Sequence, residues 1–293
     1  MEGKFIKKIL VLHNEISGKK NKKVLIEKIT NSLNLKNQVT TIIFDDIKGV
    51  IQNPKLNDKY DLLIISGGDS SVSYVINQFP TLEIPILIIP TGSGNDFAKY
   101  FNMTQNIKKI VNAVERFEIY PVVNIKVNNK IRIINFASFG FESRVTYLAN
   151  KLPRFMGKFK YTLATLICLT GRNYESLKIE SPIFSEIGQY SLAIVVANSF
   201  NFGKRINNQF MDQGSNLYLI LIERTNKIKF LYLYVLFQFN QHSNRKEFRI
   251  IPLKELQIDS THEILKSCAD GVALTQGPVK IHMETNVVHL LKI

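Results

Sequence analysis

Cysteine is scarce in this 293-residue chain, with Cys168 and Cys268 the only two. Two cysteines supply neither a disulfide framework nor a zinc pattern. Cys168, inside the apolar run TLATLICL, reads as a small core residue. A reducing, cytoplasmic setting fits this usage. The five histidines (His13, His242, His262, His282 and His289) are scattered without ligand spacing and offer no metal site. Long hydrophobic runs are also missing. The richest, FLYLYVLFQF at Phe230–Phe239, falls far short of the ~20 residues that a membrane-spanning helix needs. The opening MEGKFIKKILVLHN holds too few consecutive apolar residues for a signal-peptide core. Acidic residues are outnumbered, 24 Asp+Glu against 38 Lys+Arg, for a formal charge of +14. That excess suits anionic partners such as nucleotide phosphates, lipid headgroups or nucleic acid. Nucleic acid is not expected, because no helix-turn-helix, zinc pattern or RNP-like aromatic signature appears.

Hydrophobic residues make up 45% of the chain and charged residues 21%, which describes a folded globular protein of about two domains. The first third alternates. Ile9–Leu12, Val39–Phe44, Asp61–Ser66 and Ile84–Ile89 read as strands, separated by helical patterns in VLIEKITNSL and SSVSYVINQF. Continuous apolar strands alternating with helices predict a Rossmann-like, doubly wound α/β domain over residues 1–120. Beyond it, short strand-like runs dominate: VVNIKV, IRIINFAS, YSLAIVVAN, LYLILIE, FRIIPL, ELQID, VKIHM and VVHLLKI. They predict a β-sandwich over residues 121–293, with helices near GKFKYTLATLICLTG and IKFLYLYVLFQF. The last strand is a candidate to return to the first domain.

Two loops carry the chemistry. Ser66-Gly67-Gly68-Asp69-Ser70-Ser71 and Pro90-Thr91-Gly92-Ser93-Gly94-Asn95-Asp96 each follow a strand and precede a helix. They would lie at the carboxyl ends of parallel strands, where open α/β sheets bind ligands. Glycine lets backbone N–H groups converge on a phosphate, and helix N-termini favour anions. Gly, Ser, Asn and Asp also serve ordinary turns, but two such loops at successive strand ends argue for a site. Neither loop is a P-loop or a dinucleotide fingerprint.

Together, GGD and PTGSGNDFAKYF resemble the loops of the diacylglycerol kinase and sphingosine kinase family, usually GGDGT and P-x-GTxNDFA. Further likeness lies in Asn14-Glu15-Ile16-Ser17-Gly18, in Asn135 to Glu142 (NFASFGFE), in GKFKY at Gly157, in Val196-Ala197-Asn198 and in Asp270-Gly271-Val272. The resemblance implies a nucleotide-binding domain, a β-sandwich lipid domain, and phosphorylation of a lipid hydroxyl by ATP, diacylglycerol first among acceptors. It implies ATP contacts from Asn14, Thr41, Gly67, Gly68, Asp69, Ser70, Ser71, Gly92 and Ser93, with Asn95 and Asp96 shaping the phosphate pocket and Asp69 placing Mg²⁺. NAD kinases share the GGD loop but usually lack the second.

The departures fall on functional positions. The family's D-G-E glutamate, read as the general base, is Val272, which leaves Asp270 as the nearest carboxylate. Ser70 replaces a glycine, where its Cβ would crowd a phosphate or resist positive φ. Gln213 stands where the family has an Asp that holds a structural Mg²⁺, and Glu15 replaces a proline. The rival reading is a family member with impaired catalysis that binds nucleotide or lipid. The substrate would reside in an anionic bilayer met peripherally. Lys151–Lys160 and the run from Phe230 to Arg249 mix basic and apolar residues suited to such contact. A homodimer is compatible with the sequence, which does not set the oligomeric state.

Overall fold

A computed structural model describes residues 6–17, 22–45, 59–78, 84–153, 156–157, 159–198, 216–239, 241–242, 245–262, 264–274 and 277–293. The chain forms two compact units, Met1–Val122 with Thr285–Ile293, and Val123–Glu284.

The first unit is built on a parallel sheet in the order β4 (Ile86–Pro90), β3 (Leu62–Gly67), β1 (Lys8–Asn14), β2 (Gln38–Phe44). The central strands are continuous apolar runs because both faces are covered, and Ile9 to Leu12, Leu62 to Ile65 and Ile86 to Ile89 are buried throughout. The edge strand β2 instead alternates, with Ile42 and Phe44 buried and Thr41 and Ile43 exposed. Helix α1 (Lys22–Asn34) buries Ile26, Ile29 and Leu33, and α2 (Asp69–Gln78) buries Val72, Val75 and Ile76, both at helical spacing. Helix α3 (Asp96–Tyr100) leads to α4 (Ile107–Arg116), which starts where the Asn106 side chain accepts from Lys109 N and stops at Phe117 in the left-handed region. The end of the last strand, β15 (Val279–Leu291), joins this sheet in parallel, Leu290 facing Ile86.

The second unit is a mixed β structure with helices on one face. It contains β5 (Ile119–Val127, shared with the first unit), β6 (Ile131–Ile133), β7 (Phe136–Phe139), β8 (Glu175–Ser181), β9 (Phe184–Val196), β10 (Leu217–Glu223), β11 (Arg249–Leu253), β12 (Glu255–Ser260), β13 (Ser267–Ala269) and β14 (Val272–Ala273). Its helices are α5 (Phe141–Lys151), α6 (Phe159–Thr170) and α7 (Lys227–Gln238). The two-residue period of a strand splits its apolar side chains between two cores. Ala193 and Val195 of β9, with Leu217, Leu219 and Leu221 of β10, enter the core between β strands. Leu192, Ile194 and Val196, with Ile220 and Ile222, face the helices and meet Phe141, Val145, Ala164, Phe230 and Phe237.

Helix α7 is apolar nearly all round, yet only Phe230, Leu233, Tyr234 and Phe237 are buried. Phe230→Ala should therefore lower the unfolding free energy by about 3–5 kcal/mol, and Tyr232→Ala, at a position 51% exposed, by less than about 0.5 kcal/mol. Urea unfolding of the two variants checks this. The reverse order would place the helix the other way round.

Candidate functional site: two glycine loops at the sheet's carboxyl edge

Strand β1 leads to β2 on one side and neighbours β3 on the other, so the sheet changes direction between β1 and β3. Open α/β sheets bind ligands at such a switch point. Asn14 ends β1 there, and its Nδ2 donates to the Ser71 hydroxyl at 2.9 Å, bridging the gap to the first turn of α2. Asn14 Oδ1 is buried and has no partner among the described residues.

The two loops lie against each other. Gly67 pairs with Pro90 in register, and Thr91 N donates to Gly67 O at 3.1 Å. A Cβ on Gly92 would stand 2.4 Å from Gly68 Cα, and one on Gly68 would stand 3.1 Å from Gly92 Cα. The glycines are thus needed first for loop-on-loop contact. Gly67 has a similar reason, since its Cβ would meet Ser71 Cβ at 2.4 Å. Asn95 takes the left-handed conformation (φ 57°) that Asn tolerates, and its Nδ2 donates to Gly92 O at 2.7 Å.

Asp69 joins the loops. Its Oδ2 accepts from Asp96 N at 3.0 Å and its Oδ1 from Phe97 N at 2.9 Å. A carboxylate thereby satisfies two N–H groups that the start of α3 leaves open. Both Asp69 oxygens thus hold the second loop, each keeping a further lone pair. Asp96 is the other carboxylate here, and its Oδ1 lies 3.8 Å from Lys99 Nζ. Among the described residues no group of three or more His, Cys, Asp or Glu could hold a metal ion. Among the described residues the loop edge offers two carboxylates, Asp69 and Asp96, too few for a closed magnesium cage. A cation carried in by nucleotide phosphates, which needs one or two carboxylates at most, belongs to the substrate.

Ser70 is in the first turn of α2 with ordinary negative φ and an exposed side chain, so its replacement of glycine creates no backbone strain. Thr41 pairs with Val11, three residues before the Asn14–Phe44 pair that ends the strands, roughly 10 Å short of the loop edge at strand rise. This distance sets Thr41 away from the phosphate loops themselves. Ser93 is exposed at the tip of the second loop with its hydroxyl free to meet an anion. Asn14, Gly67, Gly68, Asp69, Ser71, Gly92, Asn95 and Asp96 are brought together as a framework. Ser70 and Ser93 are the hydroxyls it presents outward.

Beneath the loops is a layer that sequence reading missed. His13 Nδ1 lies 2.9 Å from Ser66 Oγ, which lies 3.5 Å from Thr91 Oγ1, and all three residues are buried. The signal was present, since each of three apolar runs ends in one polar residue. Burial holds His13 below the ordinary 6.5, with Glu15 opposing and Lys23 assisting. Outside this layer, Gln105 donates to Pro90 O at 2.5 Å and accepts from Lys22 Nζ at 3.2 Å, tying α1 to the end of β4.

In the second unit the matching motif residues are fasteners. Asp270 has φ 45° before Gly271 at φ 81°, and its carboxylate accepts from Ile134 N (2.8 Å), Asn135 N (3.0 Å) and Phe136 N (3.3 Å). The Asn198 amide donates to Val123 O at 2.6 Å and Ile134 O at 2.5 Å. Backbone amides thus occupy three of the roughly four acceptor positions of the Asp270 carboxylate, which gives it a structural role. Val272 is 62% exposed and cannot take a proton. The expectation at Gln213 lies outside the described residues, as do Gly18, Arg154, Phe155 and Lys158.

Residues 8–127 match the diacylglycerol kinase catalytic domain, and residues 135–292 match the YegS C-terminal NAD kinase beta sandwich-like domain. The chain belongs to the diacylglycerol kinase-like lipid kinase family. A Staphylococcus aureus (strain MRSA252) protein named "putative lipid kinase" is 28% identical over 311 residues, covering 100% of this chain and 99% of its own. A Staphylococcus carnosus protein of the same description is 25% identical over 240 residues, 80% of this chain and 78% of its own. A crystal structure titled as a diacylglycerol kinase from Bacillus anthracis superposes with a TM-score of 0.73 at 18% identity, covering 99% of this chain and 98% of that one. Yeast NADH kinase complexed with NADH is more distant, with a TM-score of 0.52 at 12% identity over 98% of this chain and 84% of its own. At these identities both solved structures speak for the fold alone.

Gly92→Ala should weaken binding of a fluorescent ATP analogue by about five- to a hundredfold, since overpacking by one methyl costs about 1–3 kcal/mol. Gly94→Ala, whose Cβ would sit 3.1 Å from the Asp69 carboxylate, should weaken it less. Titration of both variants decides, and the reverse order would refute the loop contact as the reason for Gly92. The depressed His13 gives a pH prediction. Below 6.5 the unfolded chain takes up a proton that the folded chain refuses, so His13 contributes a loss of stability as pH falls, ending at its folded value. In His13→Gln the fall in unfolding free energy between pH 7 and pH 5 should be smaller than in the natural protein.

Proposed function

We propose that this protein transfers the γ-phosphoryl group of ATP to a lipid hydroxyl, with diacylglycerol the leading acceptor and phosphatidic acid the product. The observation that carries the reading is the pair of joined glycine loops at the switch point, in a chain whose family acts on lipids. The lipid hydroxyl oxygen bonds to the γ-phosphorus, the β–γ bridging P–O bond breaks, ADP leaves, and the hydroxyl proton passes to solvent. Such a transfer runs through a loose transition state with charge on the transferring oxygens, so positioning and electrostatics supply most of the rate. The phosphates would meet the open N–H groups at the start of α2 and the hydroxyls of Ser70 and Ser93. MgATP would be the nucleotide substrate, its cation facing Asp96, and a cytoplasmic site of action with peripheral bilayer contact agrees with this reading. Among the described residues no helix is long and apolar enough to cross a membrane.

A second reading has its own support. Val272 and the committed Asp270 leave the motif without a free carboxylate, which favours a nucleotide- or lipid-binding protein of little or no turnover. General base catalysis is worth about 10²–10⁴-fold, so a kinase without it is slow rather than dead. Purified protein with radiolabelled ATP, Mg²⁺ and diacylglycerol micelles should place label in phosphatidic acid. Val272→Glu, at an exposed position, should raise the rate by about ten- to a thousandfold. Asp270→Asn should lower stability and rate together instead of abolishing turnover in a folded protein. Absence of label in the natural protein and in Val272→Glu, with ATP binding retained, rejects the kinase reading and leaves the binding protein.

A further inference from the structure

Helices α6 and α7 run side by side and antiparallel in the second unit. Lys227 Nζ, at the start of α7, donates to Thr170 O at the end of α6, and the Thr165 side chain reaches Tyr234. Their inner faces fill the helix-side core through Ala164, Phe230, Leu233 and Phe237. Their outer faces are also apolar. Leu166 and Ile167 of α6 are exposed, Leu166 by 55%. On α7, Ile228 (85% exposed), Tyr232, Val235 and, just past its end, Phe239 (64%) recur every three or four residues and so form one stripe. A surface helix of a soluble protein normally turns polar side chains outward, and a contiguous apolar face of this kind marks an interaction site.

Charge identifies the occupant. Neither helix contains an Asp or Glu. Where α6 ends and α7 begins, the guanidinium groups of Arg172 and Arg224 lie over the Tyr174 ring at 4.5 and 4.1 Å. Lys227 opens α7, and half-exposed Lys229, two residues on, lies 3.4 Å from Glu247 Oε1. An apolar stripe with a cationic corner suits a surface that is apolar within and anionic at its boundary, where stems insert and Lys and Arg meet phosphates. A second copy would bring the same corner and another formal +14 against it. We infer that the outer face of α6 and α7 docks this protein on an anionic bilayer, Leu166, Ile228, Tyr232 and Val235 entering the interface and Arg224, Lys227 and Lys229 meeting headgroup phosphates. The link from docking to catalysis rests on the proposed lipid kinase reading, whereas docking itself does not.

The test is flotation with vesicles of phosphatidylcholine alone or mixed with phosphatidylglycerol, using the full chain. The natural protein should float with the mixed vesicles at least tenfold more than with the neutral ones, and high salt should reduce this. The triple variant Leu166→Asn, Ile228→Asn, Tyr232→Asn should lose at least tenfold in flotation, as should Arg224→Gln with Lys229→Gln, with melting temperatures unchanged. Undiminished flotation of either variant overturns the inference. So does a dimer in light scattering that the triple variant splits, because the face then belongs to a second copy. Labelled phosphate transfer to a monomeric short-chain diacylglycerol keeps the two readings apart. A protein that floats without transferring label keeps the docking surface and loses the kinase, and one that transfers label while its variants float normally does the reverse.

Discussion

Two backbones in contact with no side chain between them set the geometry of the loop edge. Gly68 and Gly92 approach so closely that one methyl group on Gly92 would stand 2.4 Å from its neighbour's Cα. Everything else there follows from the approach. Asp69 is brought near enough to accept from Asp96 N and Phe97 N, so the start of α3 is capped from another loop. Asn95 takes the left-handed turn that brings its amide back to Gly92 O. Asn14 closes the remaining side by donating to Ser71. The result is a braced loop edge on which the side chains of Ser70 and Ser93 are exposed. Preorganisation of this kind is what phosphoryl transfer draws on, because donors already in place need no reordering when charge develops.

The second unit applies the same economy to different residues. Asp270 sits in a motif that resemblance associates with catalysis, and Asn198 in another matching motif, yet both bind the 134–136 segment by its backbone. A buried main chain needs partners for each N–H and C=O, and here side chains from distant parts of the sequence provide them. Hydrogen bonds to a charged group are worth about 1.5–3 kcal/mol, which is reason enough to keep Asp270 without any reaction. A motif residue can therefore persist as structure in a chain that has lost the neighbouring acid.

Much of this was legible in advance. The buried strands announce themselves as unbroken apolar runs, and both loops stand out because Gly, Ser and Asp follow such runs directly. Pattern alone did not find α5, where Phe141, Val145 and Ala149 keep helical spacing but buried Glu142, Ser143 and Thr146 interrupt it. Strand β8 escaped for a similar reason, since ESLKIES carries few apolar residues. VKIHM and VVHLLKI read as two strands and are one, Val279–Leu291, shared between the units. At the site, sequence located the neighbourhood and not the bonds. Motif spacing says that Asp69 and Asp96 are close, but it does not say that the Asp69 oxygens accept from amides. The doubly apolar α7 shows the same limit, because composition cannot tell an inward stripe from an outward one.

The fate of the carboxylates in the second unit narrows what this chain can do. Asp270 is held by three amides. Burial pushes the Glu142 carboxyl up, and the Tyr234 hydroxyl donates to it at 2.5 Å. Glu175 pairs with Arg144, and Glu284 bridges Arg132 and Lys126. Each of these acids stabilises the fold and is poorly placed to take a proton from an incoming alcohol. These four acids, among the described residues, are engaged in holding the fold. Phosphoryl transfer to a hydroxyl depends on early proton abstraction less than most group transfers, since its loose transition state places charge on phosphate oxygens before the nucleophile's proton is lost. The glycine loops and Val272 in place of a glutamate are both compatible with the proposed phosphoryl transfer, in which the hold on the phosphates supplies most of the rate.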